Sequence, residues 1–136
     1  MKKLILILTV ILLSGFAFGQ KLQKGNFIGF HVMTINPDPN VTMNQYIDFY
    51  KNKLIPAFAA NFQAECYLVK GIRGESVDSF GVMMVWKNEA ERDKFFNKEG
   101  GTNDVGKAAM DKLKPVMDEL AKLGTSTTKY TDWIVQ

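Results

Sequence analysis

NFIGFHVMTI, residues 26–35, is rich in aromatic and branched side chains, and it reads as a β-strand. Side chains alternate across a strand, so Ile28, Phe30 and Val32 point one way and Phe27, His31, Met33 and Ile35 the other. Both sets are largely apolar. The same holds for FGVMMVWK, residues 80–87, where Phe80, Val82, Met84 and Trp86 oppose Gly81, Met83 and Val85. A strand with one wet face alternates apolar with polar. These two do not, so they are expected at the centre of a sheet that is covered on both faces.

Working outward, residues 36–39 read Asn-Pro-Asp-Pro and end the first strand, because proline removes a donor and fixes the backbone. Thr42 with Gln45 has the spacing of a capping box. Behind it Met43, Tyr46, Ile47, Tyr50, Leu54 and Phe58 recur at helical spacing, with a kink expected where Pro56 deprives the Asn52 carbonyl of its donor. Residues 65–73 read as a second strand, joined to the strand at 80–87 through a glycine-containing polar connection at 71–78. Asn88 and Glu91 form another cap, before a short helix with Phe95 and Phe96 on its apolar side. Gly100-Gly101 breaks it. A longer helix from about Asp104 carries Val105, Ala109, Leu113, Val116, Met117, Leu120 and Leu123 on one stripe, bent by Pro115 and stopped at Gly124. Residues 127–135 supply a last strand.

The order β-α-β-β-α-β is a doubled β-α-β unit. Right-handed crossovers put strands one and three in the centre, with two and four at the edges. The more charged strands, carrying Glu65, Lys70, Arg73, Lys129 and Asp132, are then the edges. The expected fold class is α+β: a ferredoxin-like, four-stranded antiparallel sheet with helices on one face. Two helices leave the second apolar face bare, and a second copy of the chain is its simplest cover.

Composition fits one domain: 136 residues, 46% hydrophobic and 23% charged, with one cysteine and one histidine. Those counts exclude an intramolecular disulfide and any Cys/His structural zinc site. Residues 1–19 have the zones of an export signal: Lys2 and Lys3, an apolar run from Leu4 to Leu13, then small residues with Ala17 and Gly19 before a cleavable bond. The run is about ten residues, against roughly 20 for a bilayer-spanning helix. An uncleaved anchor is the alternative. With cleavage the mature domain is 20–136 and the protein is periplasmic or extracellular, with no stable membrane insertion. Cleavage also removes two of the 17 basic residues and none of the 14 acidic ones, which takes the formal charge from +3 to +1. That balance gives no argument for nucleic acid as a partner. Cys66 is then either buried as a small hydrophobe or open to an intermolecular bond.

With these elements the chain resembles the dimeric α/β-barrel superfamily, near its antibiotic-biosynthesis-monooxygenase-like, NIPSNAP-like and EthD-like members. MMVWKNEAERDKFF, residues 83–96, is similar to the strand-three-to-helix junction of the monooxygenase-type members, and Leu54-Ile55-Pro56-Ala57 to the proline-containing first helix of the NIPSNAP-like branch. The resemblance implies a homodimer closed through the sheet faces and a pocket between sheet and helices or within the barrel. It also implies cofactor-independent oxygenation or isomerisation of an apolar or aromatic substrate. One departure weakens the oxygenase expectation: the histidine usual on the helix after the strand-end tryptophan is replaced, counting from Trp86, by Phe95. The haem-degrading members use Asn, Trp and His together. Asn26 and Trp86 offer the first two, but the histidine is missing and haem chemistry does not carry over.

His31 is the one side chain in the domain with an ordinary titration near neutrality. It is either a general base in a pocket, with room beside Gly29 and Met33, or a satisfied histidine in the core. Trp86 is a stacking wall for a planar ligand or a core anchor. Tyr67 and Arg73 share a parity with Glu65 on strand two, so they either orient a carbonyl or carboxylate or form an edge-strand surface pair. No phosphate loop, nucleophile elbow or metal-ligand cluster is present in the sequence, so no cofactor or metal is expected. The sequence thus points to an exported dimer that binds a small apolar molecule, with His31 as the catalytic candidate if turnover occurs. The competing reading is a non-catalytic binding or assembly domain of the envelope.

Overall fold

The computed structural model describes residues 21–136; the expected export signal lies outside them. The elements run β1 (Phe27–Pro37), α1 (Met43–Phe49), a π-helical turn (Tyr50–Leu54), α2 (Ile55–Phe62), β2 (Glu65–Lys70), β3 (Phe80–Trp86), α3 (Glu89–Asp93), α4 (Asp104–Ala121) and β4 (Gly124–Ile134). The four strands form one antiparallel sheet in the order β2-β3-β1-β4. The fold is therefore α+β with the apolar strands β1 and β3 central, an arrangement compatible with the ferredoxin-like one. Among the described residues no helix is long and apolar enough to cross a membrane.

Local chemistry accounts for the element ends. Thr42 closes its capping box: its Oγ1 accepts from the Gln45 N–H at 3.2 Å, and its own N–H donates to Gln45 Oε1 at 2.8 Å. The discontinuity expected at Pro56 takes the form of the π-helical turn. There the Ile55 N–H reaches back five residues to the Tyr50 carbonyl, and Pro56 falls in the first turn of α2. The helical backbone runs on unbroken through Leu54 and Ile55, so the wider turn is how the chain accommodates a proline that cannot donate to the Asn52 carbonyl. Strand β2 stops at Lys70, three residues short of the expected end, because residues 71–79 curl into a loop. In that loop Gly71 N–H donates to the Ser79 carbonyl at 2.8 Å and Asp78 N–H to the Gly71 carbonyl at 2.9 Å. Strand β4 begins earlier than expected, at Gly124, and pairs with β1 along its full length, from Phe27↔Ile134 to Pro37↔Gly124. Gly124 has φ +143°, and a Cβ there would stand 2.5 Å from the Asn36 carbonyl oxygen. Only glycine fits that approach.

The core lies on one side of the sheet. Phe27 and Met33 of β1 and Val82, Met84 and Trp86 of β3 pack against Ile55 and Ala64. Phe62, Phe95, Ala109 and Leu113 form a second cluster between helices, and Tyr46, Leu54 and Leu120 a third. The opposite parity contributes to none of them. On that face the register lines up Tyr67, Met83, Phe30 and Thr131 in one row and Glu65, Val85, Ile28 and Trp133 in the next. Trp133 is 58% exposed and Tyr67 43%. The second apolar sheet face read from the sequence is present; Val85 on it is buried, 8% exposed, but none of its residues joins the helix-side clusters.

Candidate functional site

Between the sheet and the helices lies a cavity of about 300 Å³. Gly29, Val82 and Met84 form its floor on the central strands, and Leu54, Ile55 and Phe58 wall it from the helical side. The floor is open because Gly29 carries no side chain. A Cβ there would already sit 3.5 Å from Met84 Cε and Trp86 Cζ3 and 3.4 Å from Asp132 Oδ1. Met33, the other expected source of room beside His31, is instead 3% exposed and packed in the core.

His31 lines this cavity, and so does Trp86. The imidazole stacks on Tyr130, its cross-strand partner on β4, with centroids 5.3 Å apart and planes 19° from parallel. Among the described residues neither ring nitrogen has a hydrogen-bond partner in the protein. Burial pushes the His31 pKa below its ordinary value, and the Asp132 carboxylate offsets part of that shift. The imidazole is therefore neutral at neutral pH, with a nitrogen lone pair free to accept a proton. Trp86 is a core anchor, 3% exposed. Its indole N–H donates to the Phe62 carbonyl at 3.0 Å and its ring meets Phe27 and Phe96 edge-on, while it still lines the cavity.

Tyr67 and Arg73 lie elsewhere. Tyr67 is on the outer sheet face, where its hydroxyl donates to Glu65 Oε2 at 2.5 Å, and that bond raises its pKa. With Glu65 it borders a second, open hollow of about 880 Å³ of mixed polarity. Arg73 is exposed in the loop beyond β2. The shared space inferred from strand parity holds for Glu65 and Tyr67, but the chain leaves the strand before Arg73.

The polar end of the cavity is built from residues whose role the sequence did not announce. Arg92 on α3 is buried, 6% exposed. Its Nη1 donates to Asp93 Oδ1 at 3.1 Å and to the Asn97 carbonyl at 2.6 Å, and its Nη2 donates to Asp132 Oδ2 at 3.2 Å. The guanidinium lies 5.4 Å from the Phe27 ring centre and 5.1 Å from that of Phe96. Asp132, an edge-strand charge as the sequence predicts, lies on the helix-side face of the sheet with its side chain 31% exposed. It pairs across the sheet with Gly29, the one β1 position that leaves room for it. A signal for Arg92 did exist. It precedes Phe95 and Phe96 by three and four residues, which puts it on the apolar side of the short helix.

Two further groups are chemically quiet. Burial pushes the Cys66 thiol and the Tyr50 phenol each up to about 12, so both stay protonated at neutral pH. Cys66 is free and half-buried, between the two states weighed from the sequence. Among the described residues no group of His, Cys, Asp or Glu is arranged to hold a metal ion. Comparisons with protein families, with curated proteins and with solved structures find no match to the chain.

Proposed function

We propose that this chain is an exported, homodimeric α/β-barrel protein that holds a small, largely apolar molecule in the cavity between its sheet and helices. The observation that carries the binding reading is the cavity itself: a half-open hollow of about 300 Å³ with largely apolar walls, on which His31 and Asp132 stand at neighbouring positions of the β1–β4 register. A volume of that size with a few polar groups suits a small ligand. Where turnover occurs, His31 is the acid–base residue and Trp86 a fixed wall. Cofactor-independent oxygenation or isomerisation is the form that the family resemblance gives to that chemistry.

The dimer is supported by the outer sheet face. Ile28, Phe30 and Val32 of β1 and Met83 and Val85 of β3 make it apolar across the central strands, with Tyr67 and Trp133 exposed on the flanking ones. That same face favours one further reading, a non-catalytic envelope domain whose surfaces serve assembly alone.

Native mass spectrometry of the protein purified from its own host's envelope fraction separates the two. A dimer that retains a small molecule supports the binding reading and names the ligand. An empty dimer, unable to take up any small apolar compound, leaves assembly. A monomer overturns the pairing of sheet faces.

A further inference from the structure

The charges lining the cavity restrict what its occupant can be. Among the described residues, Arg92 and Asp132 are the only formally charged side chains on its wall. Arg92 does not offer a free positive site. It is shared between two carboxylates, Asp93 and Asp132, donates also to the Asn97 carbonyl, and lies against two aromatic rings. One cation against two carboxylates leaves this end with a net negative charge when His31 is neutral. Beside this ion pair the carboxylate oxygen Asp132 Oδ1, which overlooks the gap at Gly29, is an acceptor only, whereas the neutral imidazole of His31 and the hydroxyls of Tyr50, Thr102, Thr128 and Tyr130 on the same wall can each accept as well as donate and carry no charge.

Resting on the cavity-binding reading above, we infer that the ligand is an uncharged apolar molecule whose polar end is a hydrogen-bond donor, a hydroxyl or N–H group, directed at Asp132 and His31, and that carboxylates are excluded. A donor completes the open valence of Asp132. A carboxylate would be desolvated beside a carboxylate, with no cation left to compensate it, and both terms are unfavourable.

The test uses the folded wild-type protein and two probes of one shape, 2-naphthalenemethanol and 2-naphthoate, titrated calorimetrically at pH 7.5. The alcohol is expected to bind about tenfold more tightly or better, a gap that Coulomb repulsion and desolvation of one carboxylate readily supply. Asp132→Asn, which removes the charge and keeps an acceptor for Arg92, is expected to pull the ratio of the two affinities toward one. Naphthoate binding as tightly as the alcohol in the wild type overturns the inference while leaving the cavity reading intact. An unchanged ratio in folded Asp132→Asn also overturns it. If neither probe binds, the inference and the cavity reading fall together. The wild-type comparison stands whether or not the variant folds.

Discussion

Arg92 depends on Asp132 because a buried guanidinium needs acceptors. Asp132→Ala is expected to destabilise the fold by about 1–3 kcal/mol, the cost of leaving one buried donor without its partner. Asp132→Asn should cost less, since an amide oxygen still accepts; urea denaturation compares the two. His31 makes a separate prediction. Its folded-state pKa lies below the ordinary 6.5, so as pH falls the unfolded chain takes up the proton first. Stability from this group is present above about 6.5 and drains away as pH falls below it toward the folded-state value. His31→Phe, which keeps an aromatic ring against Tyr130, should flatten that part of a pH series of denaturant midpoints. An unchanged slope would assign the effect to other groups. At this scale the sequence was least informative. His31 and Trp86 stood out by type, whereas Asp132 looked like any edge-strand charge until the register set it opposite Gly29.

Elements were more legible because their signals are local. The two caps at Thr42 and Asn88 follow from spacing alone and are found where their residues put them, whereas of the stripe on α4 only Ala109, Leu113 and Leu120 are buried, Val105 and Met117 are exposed, and Leu123 lies past the helix end. Thr42→Ala should lower stability by about 1 kcal/mol through loss of both halves of the capping box. Gly124→Ala should cost at least as much, because the added methyl meets the β1 backbone at Asn36 and Pro37. Thermal melts of the two variants check both. What spacing could not supply was the end of β2 and the π-helical turn. Each depends on hydrogen bonds closed by neighbouring backbone, Gly71 to Ser79 in one case and Ile55 to Tyr50 in the other, and no periodicity in the side chains encodes them.

For the whole molecule, strand order followed from right-handed crossovers in a doubled β-α-β unit, and the contrast between apolar β1 and β3 and the more charged β2 and β4 agrees with it. The cavity did not follow, because it arises where a missing side chain at Gly29 meets packing from separate elements. If the outer face pairs two copies, Phe30→Asp near its centre should shift sedimentation from dimer to monomer while leaving the helix-side core intact. A wild-type protein that sediments as a monomer at micromolar concentration would contradict the pairing. The cavity is tested most directly by methyl NMR of methionine-labelled protein during titration with 2-naphthalenemethanol. Met84 and Met110 line the cavity and Met83 lies on the opposite face, so each sample contains its own control. Saturable shifts of Met84 and Met110 with Met83 unmoved are the predicted result, abolished in Gly29→Val, which fills the floor. Shifts confined to Met83, or no shift at Met84 and Met110, would contradict a ligand-binding cavity between sheet and helices.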